Sequence, residues 1–342
     1  MLRRLLIGLV GALIVLAVTG FAAFQLSPWP AAVVIRYFFD RGGDAAAAAL
    51  QKHVPDGIAE KLDVPYGPDA ANRLDVFYPS EIEGTDKALP VIMWVHGGAW
   101  ISGSKEHVAN YLRILASKGF VAVGIDYSIA PAAKYPTPVI QANEALAFLN
   151  AKAGEFHIDP TRIFLAGDSA GAQIAAQLAN VVTTPGYGQG MDIVPAIGAA
   201  PLRGIVLNCG GYDPRLVNFD GAAGGFLRTV FWSYLGNRDF DGDPRIRQFS
   251  IMDNMTAAFP PAFITVGNAD PLEEQSHRLA EAAQKLGVKT DTLFFARDYQ
   301  PPLPHEYQFN LDVDAGRTAL ERTVAFLQAR SCRFSEAGGG CP

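Results

Sequence analysis

The sequence predicts an α/β fold: a mostly parallel, eight-stranded sheet covered by helices, with a lid or cap insert and an N-terminal transmembrane helix. Three observations carry this. Short apolar runs alternate with helical stretches along most of the chain, which is the order of repeated βαβ units. Those runs lack polar alternation, so both faces of each strand are buried, as in a parallel sheet. Finally, Arg162-Ile-Phe-Leu-Ala-Gly-Asp-Ser-Ala-Gly-Ala-Gln-Ile-Ala reads as a strand that turns abruptly into a helix, with Ser169 at the corner.

The chain opens with Arg3 and Arg4 and then runs from Leu5 to Leu26 without a charge, long enough to cross a hydrocarbon layer of roughly 30 Å as a helix. Residues 1–27 therefore read as a membrane anchor. The preceding arginines argue for a cytoplasmic N-terminus, which puts the remainder in the periplasm or outside the cell. A cleaved signal peptide is the rival reading, but its apolar core usually spans only about 7–15 residues, and Ala22-Ala-Phe-Gln-Leu is a poor cleavage site. A buried core helix is the third. Ser27-Pro-Trp-Pro breaks the helix, and residues 28–57 read as a juxtamembrane, lid-like segment. Its helix runs from Ala31 to Phe39 and stops at Arg41-Gly-Gly, with a further turn over Ala45 to Leu50. Trp29, Tyr37, Phe38 and Phe39 suit the headgroup level, the cover of a pocket, or packing on the domain.

Residues 58–330 form the main domain. Leu62–Tyr66 and Arg73–Tyr78 read as an antiparallel opening pair, followed by the strand Pro90–His96, a helix over Val108–Lys118 and the strand Phe120–Asp126. Val139–Lys152 is the next helix, Ile163–Ala166 the strand before the serine, and Ser169–Val182 the Ala- and Gly-rich helix after it. The loop-rich stretch Thr183–Pro201 leads to the strand Gly204–Asn208. The insert 212–261 carries Phe226-Leu-Arg-Thr-Val-Phe-Trp-Ser-Tyr-Leu, a helix with aromatic residues on more than one side, and reads as a lid or as ordinary packing. Ala262–Gly267 is a strand, Pro271–Leu286 a helix stopped by Gly287, and Thr290–Phe295 the last strand. Asp314–Arg330 closes the domain as a helix with Leu320, Val324 and Leu327 on one stripe. Residues 331–342 are a Gly-rich tail.

The chemistry begins at Ser169. A serine hydroxyl is a weak nucleophile until a neighbouring base, itself oriented by a third group, takes its proton. Asp270 follows one late strand and His305 the last one. All three residues thus lie past the C-terminal ends of strands, where an open α/β sheet forms its crevice. A developing oxyanion also needs preorganised N–H donors, and His96-Gly-Gly-Ala-Trp100 follows a strand end. Its Gly97, Gly98 and Ala99 are donor candidates together with Ala170, which opens the helix after the serine. Each residue has a plainer reading: Ser169 and Asp270 as helix caps, with Asp213 as the substitute acid, and His305 as a surface histidine. His96 reads as a brace for the oxyanion loop, Asp126 as a turn-fixing residue, and His53, His107, His157 and His277 as solvated.

Gly167-Asp-Ser-Ala-Gly171 together with His96-Gly-Gly-Ala-Trp100 resembles the α/β-hydrolase superfamily, within its hormone-sensitive-lipase-like carboxylesterase branch. The likeness spans about residues 60–330, and Ile125-Asp-Tyr-Ser-Ile-Ala-Pro131 also resembles that branch's strand and turn before its second helix. It implies a Ser169, Asp270, His305 triad that hydrolyses acyl esters through an acyl-enzyme. Lipolytic members carry a third glycine where this chain has Ala99 and then Trp100, a form more like kynurenine formamidases. Trp100 is therefore a candidate pocket residue, and a formamide or aryl amide is the alternative substrate. A non-catalytic, membrane-anchored binding domain is the alternative from another class.

Composition excludes some partners. The hydrophobic share of 49% permits a large core, while 18% charged residues and a formal net charge of −6 provide no basic field for a nucleic-acid backbone. A small ester and the membrane are the expected partners, and no cofactor is implied. No Cys/His spacing suggests a metal. Asp239-Phe-Asp-Gly-Asp243 lacks the glutamate that ends a calcium loop and reads as a solvated acidic turn. Cys209 reads as an inert core residue, and Cys332 and Cys341 as either a small disulfide or two free thiols.

Overall fold

The computed structural model describes residues 2–221 and 223–331; Cys332 and Cys341 lie outside them. In chain order the elements are α1 (Leu2–Leu26), α2 (Trp29–Leu50), β1 (Ile58–Pro65), β2 (Arg73–Pro79), β3 (Leu89–Val95), α3 (Lys105–Ala116), β4 (Val121–Ile125) and α4 (Thr137–Ala151). They continue with β5 (Ile158–Asp168), α5 (Ser169–Thr183), β6 (Leu202–Asn208), α6 (Gly224–Leu235), α7 (Arg245–Phe249), α8 (Ile251–Asn254), β7 (Ala262–Val266), α9 (Glu273–Lys285), β8 (Thr290–Phe294) and α10 (Asp314–Arg330).

The strands form one sheet of eight in the order β1-β2-β4-β3-β5-β6-β7-β8. β1 pairs with β2, and β2 with β4, antiparallel; the other pairs are parallel. Alternation along β3 shows why apolar runs suit this sheet. Ile92 and Trp94 face one side, among Tyr111 and Leu115 of α3 and Phe326 and Leu327 of α10. Val91, Met93 and Val95 face the other, in the core that α4, α5 and α9 share through Leu146, Ile174 and Leu279. Each fully buried side chain of this size contributes roughly 1.5–3 kcal/mol, so a strand with both faces covered gains from every residue. On α10 the stripe is centred on Phe326 and Leu327, while Leu320 and Val324 are half-buried.

Two differences from the sequence reading position the site. α2 does not stop at Gly42-Gly43 but runs on to Leu50. Gly43 is a packing residue there, because a Cβ on it would fall 2.5 Å from His107 Nδ1 on α3. Two further ties seat the helix: Asn110 Nδ2 donates to Ala47 O at 2.8 Å and Arg36 Nε to Ile101 O at 2.7 Å. The helix is thus a fixed wall of the domain. The insert 212–261 packs inward instead, and its Phe231, Tyr234 and Phe249 surround Trp100.

Candidate active site

Ser169 is where β5 gives way to α5, and the turn is tight enough to put the serine at φ 51°. The flanking glycines follow from that closeness. A Cβ on Gly171 would lie 2.0 Å from Val95 O, and one on Gly167 would lie 2.5 Å from Gly171 C. No side chain fits at either position. The turn lifts Ser169 Oγ to within 2.9 Å of His305 Nε2, and His305 Nδ1 lies 2.8 Å from Asp270 Oδ2.

The loops after β7 and β8 bring His305 and Asp270 together. Ala269 N donates to Leu303 O at 3.0 Å, Leu303 N to Asn268 Oδ1 at 2.9 Å, and a Cβ on Gly267 would collide with Leu303 O. Asp270 is held at its second oxygen by Leu272 N at 2.7 Å, so its carboxylate is oriented from both ends. Asp213, the substitute acid, is elsewhere engaged, with Arg215 and Ser250 on its carboxylate.

The donor loop needs one correction. Gly97 N donates to Asp168 Oδ2 at 2.8 Å, so that amide is already occupied and leaves the set of free oxyanion donors. The Gly98 and Ala99 amides have no acceptor among the described residues. Ala170 is the second residue of α5, where helix amides lack an intrahelical acceptor. Gly98, Ala99 and Trp100 all have positive φ, and a Cβ on Gly98 would lie 2.2 Å from Ser102 O. Such a run persists only when its surroundings impose it. Here Ile101 N, Ser102 N and Ser102 Oγ all donate to Gly98 O. His96 braces the loop as expected, stacked on Tyr127 at 4.4 Å with Nδ1 2.7 Å from Gly97 O. Burial drops its pKa to about 4, so the ring is neutral.

Two neighbours of the site, Asp168 and Glu306, went unread in the sequence. Asp168 is buried between the serine corner and the donor loop, accepting from Trp94 Nε1 at 2.6 Å as well as from Gly97. Burial, reinforced by the charge of Glu306, pushes its carboxyl up to about 7. The cue was a lone carboxylate at the end of an apolar strand. Glu306 Oε1 lies 3.8 Å from His305 Nε2. Cys209 is buried as the sequence reading expected, and it also sits beside the site: its sulfur, the Asp270 carboxylate and the His305 ring fall within 4.8 Å of one another. Burial raises the thiol to about 11, which keeps it protonated. These three groups have the donor chemistry of a metal site, but hydrogen bonds to Asp270 and Ser169 already engage both ring nitrogens of His305. Burial opposes the His305 imidazolium, yet the Asp270 carboxylate bonded to it and the nearby Glu306 charge outweigh it and hold the pKa above its ordinary 6.5.

A cavity of about 380 Å³ opens at Ser169, with Phe38, Phe39, Gly98, His107, His305 and Glu306 among its lining. α2 supplies its apolar wall, and no described residue of the insert 212–261 lines it. Trp100 does not line it either. Its side chain is buried, stacked on Tyr234 at 4.8 Å, with Nε1 donating to Gln173 Oε1 at 3.3 Å. His107, expected in solvent, is a cavity residue. Asp243 of the acidic turn is taken by Arg245.

Residues 92–299, more than half of the chain, match the family described as the alpha/beta hydrolase fold. The chain belongs to that family. Within the α/β-hydrolases it is similar to Esterase LipQ of Mycobacterium tuberculosis, 26% identical over 68% of this chain and 54% of the relative. It is also similar to the isoprenylcysteine alpha-carbonyl methylesterase ICME of Arabidopsis thaliana, 27% identical over 69% of this chain and 55% of the relative. The chain spans about half the length of these curated relatives. Among solved structures, Esterase B from Lactobacillus rhamnosis superposes with a TM-score of 0.73 over 87% of this chain and 95% of the other, at 19% identity, which extends the likeness in fold to most of this α/β-hydrolase.

Proposed function

We propose that this α/β-hydrolase cleaves small to medium carboxylic esters through an acyl-enzyme on Ser169. The observation that carries the reading is the continuous chain from Ser169 Oγ through His305 to Asp270, at 2.9 and 2.8 Å, beside unengaged amides. Ser169 Oγ attacks the carbonyl carbon while His305 Nε2 takes its proton, and the carbonyl electron pair moves onto oxygen. The amides of Gly98, Ala99 and Ala170 meet that oxyanion, each such donor typically supplying about 10²–10³ in rate. The intermediate collapses, the C–O bond to the alcohol breaks, and His305 returns the proton to the leaving oxygen. Water adds to the acyl group by the same route, releasing the acid and restoring Ser169.

The cavity of about 380 Å³ suits a small or medium acyl group, and the relatives' names as esterases support an ester. The formamide alternative drew on Trp100, whose side chain is buried behind the donor loop and does not line the cavity. The binding-domain alternative has no broken triad to rest on. α1 anchors the chain, with Arg3 and Arg4 on the cytoplasmic side and the catalytic domain in the periplasm or outside the cell. The test is turnover of p-nitrophenyl butyrate by the full chain. Ser169→Ala lowers kcat by roughly 10⁵-fold or more while circular dichroism is unchanged; a variant that keeps wild-type turnover refutes the mechanism.

A further inference from the structure

α2 faces two ways, and its outer face is the unusual one. Inward, Arg36 donates to the carbonyls of Ile101 and Ala130, and Asp40 accepts from Gly103 N. These are the charged side chains of the stretch from Trp29 to Asp40, and both are spent on the domain. Outward, Trp29, Val33, Val34, Tyr37 and Phe38 are between 44% and 65% exposed. A helix on a water-soluble domain ordinarily turns its apolar stripe inward, and a contiguous exposed apolar patch marks a contact surface. Two residues, Ser27 and Pro28, separate this helix from α1, whose span Arg3–Leu26 is apolar, long enough to cross a membrane and without a buried residue, Arg238 touching it only at Gln25 near its end. The surface that meets α2 is therefore continuous with whatever receives α1. Phe38 and Phe39 belong to this exposed edge and also line the Ser169 cavity.

We propose that α2 lies in the bilayer interface beside α1, and that Phe38 and Phe39 form a mouth through which an amphiphilic ester dissolved in the membrane enters the Ser169 cavity. The proposal deepens the ester-hydrolase reading and rests on it for its substrate. Attachment of α2 is apolar. Its exposed stripe from Trp29 to Phe38 is uncharged, and the nearby Arg41 is engaged by Tyr37 Oη, so binding of this face depends mainly on apolar burial and only weakly on salt.

The test uses the full chain in phosphatidylcholine vesicles and has two readouts. In vesicles of bromine-labelled lipid, Trp29 emission, taken as the difference between wild type and Trp29→Phe, is quenched at low and high salt alike. Absence of quenching overturns the proposal. The double variant Val33→Glu/Val34→Glu, altered only outside the cavity, keeps soluble p-nitrophenyl butyrate turnover within about twofold of wild type, while hydrolysis of the medium-chain ester dioctanoylglycerol dissolved in the vesicles falls about tenfold. Unchanged hydrolysis of the vesicle-borne ester, an equal loss on both esters, or wild type that cleaves butyrate but no vesicle-borne ester overturns it. So does light scattering that shows the double variant converting a dimer to a monomer, which would make this face a self-interface. Loss of butyrate hydrolysis in the wild type instead refutes the ester reading, and the quenching still reports whether α2 meets lipid.

Discussion

Asp270 and Asp213 both follow strand ends, and their partners separate their roles. Asp270 faces His305, whereas Asp213 is consumed by Arg215 and Ser250. Asp270→Asn should lower kcat by about 10⁴-fold, the effect of losing the carboxylate that orients a catalytic imidazole, while Asp213→Asn lowers thermal stability and leaves kcat nearly intact. Steady-state kinetics and thermal melts on the two variants check this, and equal kcat losses contradict it. The serine corner makes a packing prediction. With Val95 O only 2.0 Å from a Cβ at position 171, Gly171→Ala should cost about 1–3 kcal/mol or more, read by denaturant unfolding. The pH profile follows from His305. As the proposed base it must be unprotonated, and Asp270 and Glu306 hold its proton on to a pH above 6.5. kcat/KM should therefore rise with pH through an inflection above 6.5 and fall below it; an inflection at or under 6.5 contradicts this environment. The residues that the structure brings together as Ser169, His305 and Asp270 were legible in the sequence because strand ends and turn glycines leave local signals. The engagement of Gly97 N by Asp168 and the closeness of Cys209 to His305 were not, since both join residues far apart in sequence.

At the scale of elements, α3 begins on a buried charge. Lys105 is 2% exposed and ion-paired with Asp63, Asp75 and Glu106, while Asp75 is itself buried. Removing one partner of a buried pair strands the other, so Lys105→Met should cost about 3–5 kcal/mol, measured by chemical denaturation; a loss below about 1 kcal/mol contradicts the pairing. The strands and main helices were readable because burial on both faces imposes uninterrupted apolar runs, as in Val91 to Val95. α2 was misread for a physical reason. A Gly-Gly pair normally ends a helix, but Gly43 is required by the approach of His107 and the Ala45–Leu50 run sustains the helix beyond it. The insert reads from sequence as a lid or as ordinary packing because α6 carries aromatic residues on several sides. Its rings close around Trp100, and the cavity wall comes from α2 instead.

For the whole molecule, an eight-stranded sheet presents Ser169, Asp270 and His305 at the ends of β5, β7 and β8, with α2 across the cavity and α1 leading away from it. The fold class was legible because the alternation of strands and helices repeats along the chain. The side of the domain that α2 covers was not, because it depends on long-range contacts such as Arg36 to Ala130 O. If α1 is the anchor, the full chain sediments with membranes in carbonate at high pH and a variant lacking residues 2–26 does not; a full chain released by carbonate contradicts anchoring. The central claim is that Ser169 is the nucleophile of a working triad, and covalent labelling tests it most directly. A fluorophosphonate probe should place one adduct on the peptide containing Ser169, and labelling should vanish in Ser169→Ala and fall sharply in His305→Ala. An adduct on another residue, or none on the folded wild-type protein, contradicts it.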